Sequence, residues 1–220
     1  MVRQERAERT RRNLIRAAST VFDQSGYERA TLSAISKRAQ ITKGALSFHF
    51  AAKSDLARAV QAEACVTSGA ALVEPTRRET PAFEIATAMA HTLVGLLETD
   101  VVVRAGARLT QEIRTPEDPT LHCHLNWLVA MHGTLHRARS DGSLLPDVDV
   151  RAASFLMLSL ITGTTTLPRL PTDPASPPLP HPQRSPDPYT DSPSPRETGD
   201  LRLTRTLRLI RPALSGPPTR

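Results

Sequence analysis

The chain has 220 residues, 28 Lys and Arg against 22 Asp and Glu, and a net charge of +6, enough for one generous domain or two small ones. No apolar run approaches the about 18 residues a membrane span requires, and the charged start Met1-Val2-Arg3-Gln4-Glu5-Arg6 lacks the apolar stretch of a secretion signal. Two cysteines, Cys65 and Cys123, are too few for a disulfide scaffold or a four-cysteine zinc site. A secreted knot, a membrane protein and a zinc finger are thus excluded, and a cytoplasmic setting is expected.

Helical signals then follow one another along the chain, and aromatic residues make up only 4%. Sustained period-2 alternation is missing and no Asn-Gly or Asp-Gly pair stands between alternating runs as a hairpin signal would, so strands have little support. Leu14, Ala18, Val21 and Phe22 share one face of a first helix over residues 5–25, with Gly26 as its stop. Thr31 can cap a short second helix holding Leu32, Ile35 and Ala39, and Thr42 a third over residues 43–48. A fourth begins near Ser54 and ends before Pro75. Thr80-Pro81 reads as a cap followed by proline in the first turn, opening a fifth helix through Leu97.

Val102, Ala105, Leu109 and Ile113 mark a sixth helix. Asp118-Pro119 repeats the cap signal for a long seventh that ends at Gly142. Asp149 opens an eighth, apolar around most of its surface through Leu167, as expected of a helix buried between partners. Eleven of the 19 prolines fall between Pro168 and Pro195, a composition that cannot bury enough surface to offset its ordering entropy. Beyond it Leu203, Leu207, Ile210 and Leu214 form one stripe, with Asp200 as cap. The expected fold is all-α. Residues 1–53 group as a three-helix head and 54–167 as a larger helical body, followed by a Pro-rich linker at 168–198 and a final helix at 199–214, unless that segment is a divergent tail.

Charge divides along the same lines. Residues 1–58 carry twelve Lys and Arg against five Asp and Glu, whereas 59–167 carry eight against twelve. A basic head on an acidic body suits a polyanion-binding module joined to something that does not bind polyanions. Arginine is abundant everywhere, but all three lysines, Lys37, Lys43 and Lys53, lie within the head. The helices at 32–39 and 43–48 are separated by Gln40-Ile41-Thr42, which is helix-turn-helix spacing. In that motif the second helix enters the major groove N-terminal end first. Thr42 and Lys43 stand at that end, Gly44 admits close approach, and Ser47 and His49 can reach phosphates. Phe48 and Phe50 are expected to anchor the helix to Leu14, Phe22 and Leu32.

The segment TLSAISKRAQITKGALSFHFAAKSDL, residues 31–56, resembles the DNA-binding signature of TetR-family transcriptional regulators. The version ITKGAL-x-FHFAAK-x-DL is most similar to the γ-butyrolactone (autoregulator) receptor branch. The likeness continues through VVRAGARLTQEI at 102–113, LNWL at 125–128 and ARSDGSLLPDVDV at 138–150. It implies a two-domain, all-helical homodimer, with residues 1–53 as helix-turn-helix DNA-binding domain, 54–167 as ligand-binding and dimerisation domain and 199–214 as final dimerisation helix. Such a dimer represses promoters and releases its operator when a small apolar signal, γ-butyrolactone-like or antibiotic-related, enters the larger domain.

Carried over by this resemblance, the DNA contacts fall on Thr31, Thr42, Lys43, Gly44, Ser47, His49 and Lys53, and the ligand contacts on Trp127 and Thr162. Ser47 departs from the tyrosine usual there, and Ala64 stands where relatives place a glutamine, with Gln61 near. The basic pI of about 10.1 points to the pseudo-receptors of the branch. The alternative is therefore a small-molecule-binding or partner protein with weakened or ligand-independent DNA binding. His122-Cys123-His124 cannot converge on one metal from a helix, and His132 and His136 lack the glutamate of a zinc protease and a third ligand. No nucleophile–base constellation or phosphate loop is evident. Neither a metal, a cofactor nor an enzymatic activity is expected.

Overall fold

The computed structural model describes residues 2–113, 121–166 and 198–215, and among these every regular element is a helix. Asp118-Pro119 and residues 168–197 of the Pro-rich segment lie outside the described residues. The order is α1 (Val2–Arg29), α2 (Leu32–Arg38), α3 (Lys43–His49), α4 (Lys53–Thr76), α5 (Ala82–Thr99), α6 (Val101–Glu112), α7 (Cys123–Ser140), α8 (Val150–Thr166) and α9 (Gly199–Leu214).

Two apolar cores share two helices. The first collects Leu14, Ala18 and Phe22 of α1, Ile35 of α2, Leu46 of α3 and Phe50 after it. It does not stop at the start of α4, because Leu56, Ala57 and Val60 belong to it, as do Ala105 and Leu109 of α6. The second joins Leu93 and Val94 of α5, Val103 and Ala107 of α6, Trp127 and Met131 of α7, and Met157 and Ile161 of α8. Alternate faces of α6 thus close both cores.

Tertiary contacts redraw several helix ends. Gly26 breaks α1 as expected, with φ 76° and ψ 172°, but one further turn resumes and carries the helix to Arg29. Pro75 sits inside the last turn of α4 rather than beyond it. Thr80 does not cap α5. The N–H groups of Ala82 and Phe83 instead donate to the Asp141 carboxylate and the Ser143 hydroxyl, at 2.8 and 3.1 Å, from the loop after α7. The described part of the seventh helix begins at Cys123. Asp149 accepts from Arg151 N at the start of α8, as its position predicts.

Helix α9 is capped by Thr198, whose hydroxyl accepts from Leu201 N, and not by Asp200, which pairs with His91 Nδ1 at 2.5 Å. Its stripe of Leu203, Leu207 and Leu214 is buried against the body core, with Ile210 partly buried beside it. Gly199 N donates to Glu98, Arg202 to the Thr164 carbonyl and Arg211 to Glu84. The segment is therefore a docked helix. Phe155 and Leu156 on α8 and Leu201 and Leu209 on α9 remain outside; Leu209 is 81% exposed.

The borrowed cap gives Asp141 a measurable role. Burial pushes its carboxyl up, but the Ser143 hydroxyl, the Ala82 and Ser143 N–H groups and the charge of Arg137 outweigh this and hold it below its ordinary 3.8. A carboxyl lowered by folding contributes stability that is fully present above its unfolded value and disappears as pH falls through the folded one. Asp141→Ala should lower stability by about 1 kcal/mol or less near neutral pH, the low end for a solvent-facing cap. In urea titrations the gap between wild type and variant should close below pH about 4, and a gap unchanged at low pH would show that the carboxylate charge is immaterial.

Candidate DNA-reading face and effector cleft

Helix α3 is held by one deep anchor and displayed on the other side. Leu46 is buried in the head core, followed by Phe50, whose ring lies 5.2 Å beneath the Arg11 guanidinium. Phe48 is not an anchor: it is 84% exposed, and its ring meets that of His49 edge-on, 5.4 Å away. The helical turn that buries Leu46 and Phe50, four positions apart, necessarily turns Phe48 outward. Between α2 and α3 the chain reverses through Gln40, which adopts φ 56°.

Thr42, Lys43, Gly44, Ser47 and Phe48 are all exposed, with His49 half-buried. Thr31 and Thr42 cap their helices, each hydroxyl oxygen accepting a backbone N–H at 3.1 Å, from Ala34 and Ala45. A hydroxyl that accepts in a cap keeps its own O–H to donate, so the two caps leave two donors beside the display. Lys53 is more constrained. Its Nζ donates to the carbonyls of Tyr27 and Glu28 at 2.8 and 3.3 Å and lies 4.3 Å from the Tyr27 ring centroid, tying the end of α1 to the start of α4.

In the body, an open cleft of about 800 Å³ lies where α6, α8 and α9 approach α1. Its walls include Leu97, Arg104, Arg108, His124, Thr162 and Arg202. Trp127 is not a wall residue. It is 1% exposed, its indole N–H donates to Ser68 Oγ at 2.9 Å, and the His124 ring packs against it edge-on at 5.2 Å, between indole and cleft. Burial, together with the nearby His122, holds His124 below its ordinary pKa, so the imidazole facing the cleft is neutral at pH 7. Thr162 is at the cleft with its hydroxyl donating to Leu158 O at 3.0 Å. The two carried-over ligand residues are thus one layer apart rather than side by side.

The cleft also contains the bond between head and body. Arg104 Nε is 3.0 Å from both Asp23 carboxylate oxygens, while its Nη1 donates to Leu97 O and Glu98 O. Arg108 donates to Asp23 O and to Glu112, each at 2.6 Å, and Glu112 accepts from Tyr27 N at 2.5 Å. Burial raises the Glu112 carboxyl, but Tyr27 N–H, Arg108 and Arg29 bring it below its usual value. Arg104, Arg108 and Glu112 recur every fourth residue along α6, a charged stripe beside the apolar one, and that spacing was the available sequence signal for this latch.

The latch closes around Gly26. A Cβ there would come within 2.7 Å of Arg108 and 2.8 Å of Glu112, and φ 76° with ψ 172° belongs to a region that only glycine occupies at little cost. Gly26→Ala should therefore lower stability by roughly 1–3 kcal/mol. An unaltered denaturation midpoint would mean that neither the backbone conformation nor the latch constrains the fold.

A helix-turn-helix head joined to an all-helical body also occurs in known proteins. Residues 14–60 match the family model described as bacterial regulatory proteins, tetR family. The A-factor receptor protein of Streptomyces griseus is 33% identical over 163 residues, which are 74% of this chain and 56% of that protein, so the match spans a little over half of its length. A solved γ-butyrolactone receptor described as an ArpA-like protein is 33% identical, with a TM-score of 0.66 over 71% of this chain and 80% of its own. The TetR-family protein CprB from Streptomyces coelicolor, solved in complex with its operator, is 33% identical, with a TM-score of 0.65 over 72% of this chain and 78% of its own. Relatives of this kind are transcriptional regulators and not enzymes, and the chain belongs to the TetR family, on its γ-butyrolactone receptor-like branch.

Proposed function

We propose that the protein is a dimeric repressor that reads an operator duplex with α3 and lets go when a small, largely apolar molecule enters the cleft. The observation that carries this reading is the display on α3: Thr42, Lys43, Gly44 and Ser47 exposed together on a helix locked to its head by Leu46. Lys43 meets a guanine edge or a phosphate. Thr31, Thr42, Ser47 and His49 donate to phosphates, Gly44 admits the backbone, and Lys53 adds its remaining proton where α1 meets α4.

The exposed Phe155 and Leu156 of α8 and Leu201 and Leu209 of α9 support a dimer in which two such pairs pack as four helices. A dimer holds two recognition helices about 34 Å or a multiple apart, the spacing of successive major grooves. An effector acts by binding better to the arrangement that breaks this spacing, and a tenfold loss of operator affinity requires about 1.4 kcal/mol of that preference. A lactone or ketone carbonyl suits the guanidinium donors at the cleft, joined by Thr162 once its hydroxyl turns away from Leu158 O, while the apolar body of the effector displaces His124 and reaches the Trp127 face. Arg104 and Arg108 line the same cleft and hold α1, so an effector there competes directly with the latch.

On a duplex selected by the protein from a random pool, Lys43→Ala should weaken binding by roughly 1–3 kcal/mol and flatten the salt dependence. Ser47→Tyr should tighten it by adding an aromatic contact. If a folded Lys43→Ala dimer bound as well as wild type, α3 would not be the reading helix. Wild-type binding that is weak and insensitive to salt would favour the pseudo-receptor alternative.

The single tryptophan, one ring behind His124, reports on the cleft. Titration with an acylated γ-butyrolactone should change its fluorescence over the same concentrations that free the duplex, and Trp127→Phe should blunt release while retaining DNA binding. Release with unchanged emission would locate the effector elsewhere.

A further inference from the structure

The chain's two cysteines lie 58 positions apart, yet their sulfur atoms are 3.1 Å apart in the fold. Cys65 is on α4 and half-buried, whereas Cys123 is the first residue of α7 and fully buried. Two sulfurs in van der Waals contact need to close by only about 1 Å to reach bonding distance. Neither thiol has a part in the DNA-reading face or in the cleft wall.

We propose that Cys65 and Cys123 form a hydroperoxide-reactive pair, which oxidises to an intramolecular disulfide that pins α4 to α7. Access decides the roles. Cys65 meets solvent and is the attacking sulfur; Cys123, enclosed between Cys65 and the Gln61 carbonyl 3.9 Å away, is the resolving one. Contact with Cys65 and burial both push the Cys123 thiol up, so it retains its proton until it reacts.

In the first step the Cys65 thiolate attacks the outer peroxide oxygen. An S–O bond forms, the O–O bond breaks, and the departing alkoxide or hydroxide takes a proton to leave as an alcohol or water. In the second, the Cys123 sulfur attacks the Cys65 sulfenic acid. The S–S bond forms, the S–O bond breaks, and the hydroxyl leaves as water with the Cys123 proton. Two sulfurs together lose two electrons and one peroxide is reduced.

The mechanical consequence follows from the neighbours. Ala64, adjacent to Cys65, lies where α4 and α6 cross so closely that a Cβ on Gly106 would be 2.3 Å from its own. Gly106 of α6 faces both Ala64 and the Cys123 sulfur, so a covalent bond from Cys65 to α7 at this crossing fixes α4 against both neighbours. That this would make the dimer reluctant to release its operator rests on the function proposed above; the chemistry and the pinning do not.

The full-length reduced chain, freed of reductant, is treated with stoichiometric hydrogen peroxide. Its intact mass should fall by two hydrogens, digestion should yield a Cys65–Cys123 cross-linked peptide, and dithiothreitol should reverse both. Cys123→Ala should leave Cys65 trapped as a sulfenic acid by dimedone, while Cys65→Ser should leave Cys123 an unmodified thiol. Amides of α4 around Cys65 should exchange roughly tenfold more slowly in the oxidised protein. Cross-links between chains, oxygen addition without a cross-link, or no reaction would overturn the pair, and unchanged exchange would overturn the pinning. Neither readout involves DNA, so failure here is distinct from failure of the repressor reading.

Discussion

The close crossing of α6 with its neighbours governs the rest of the structure. Ala64 and Gly106 let α4 and α6 approach at backbone distance, because any side chain at 106 would enter the space of the Ala64 methyl. That approach allows α6 to serve two cores at once, with Ala105 and Leu109 toward the head and Val103 and Ala107 toward the body. Head and body are consequently not two balls on a tether. Small residues at a helix crossing have this effect generally, since interaxial distance is set by the side chains at the contact point.

The charged edge of α6 completes the same join. Arg104 and Arg108 reach Asp23, Glu112 reaches the amide of Tyr27, and the chain between them bends at Gly26. Polar links of this kind make a joint that is cheap to open. A partly solvated ion pair contributes little net stability, so it can be exchanged for contacts to another molecule at small cost, which an apolar seam could not. The cleft lies on this edge, with Asp23, Arg104 and Arg108 in its wall.

The relation between Ala64 and Gly106 also gives a physical account of the departure at position 64. A glutamine there would project into the crossing and force α6 away, whereas Gln61, one turn earlier, is buried without disturbing it. The cleft residues found in the fold, His124, Arg104 and Arg108, are polar. Groups of this kind offer hydrogen-bond donors to whatever enters the cleft.

Local signals in the sequence determined the helical class, the caps at Thr31, Thr42 and Asp149, the break at Gly26 and the stripe that docks α9. Each depends on residues within one or two turns, where spacing alone fixes which side chains share a face. The TetR-type reading of residues 31–56 was equally local, because the motif is contiguous. Only the tertiary structure decided what depends on distant partners. Asp141, 59 residues away, caps α5 in place of Thr80. Phe48 faces outward because Leu46 and Phe50 claim the core, and two cysteines meet through the packing of α4 on α7. Trp127 was legible as a special residue, but its separation from the cleft by His124 was not: one tryptophan in a helical stripe satisfies a core and a pocket equally well, and the choice belongs to the neighbours that the fold brings to its face.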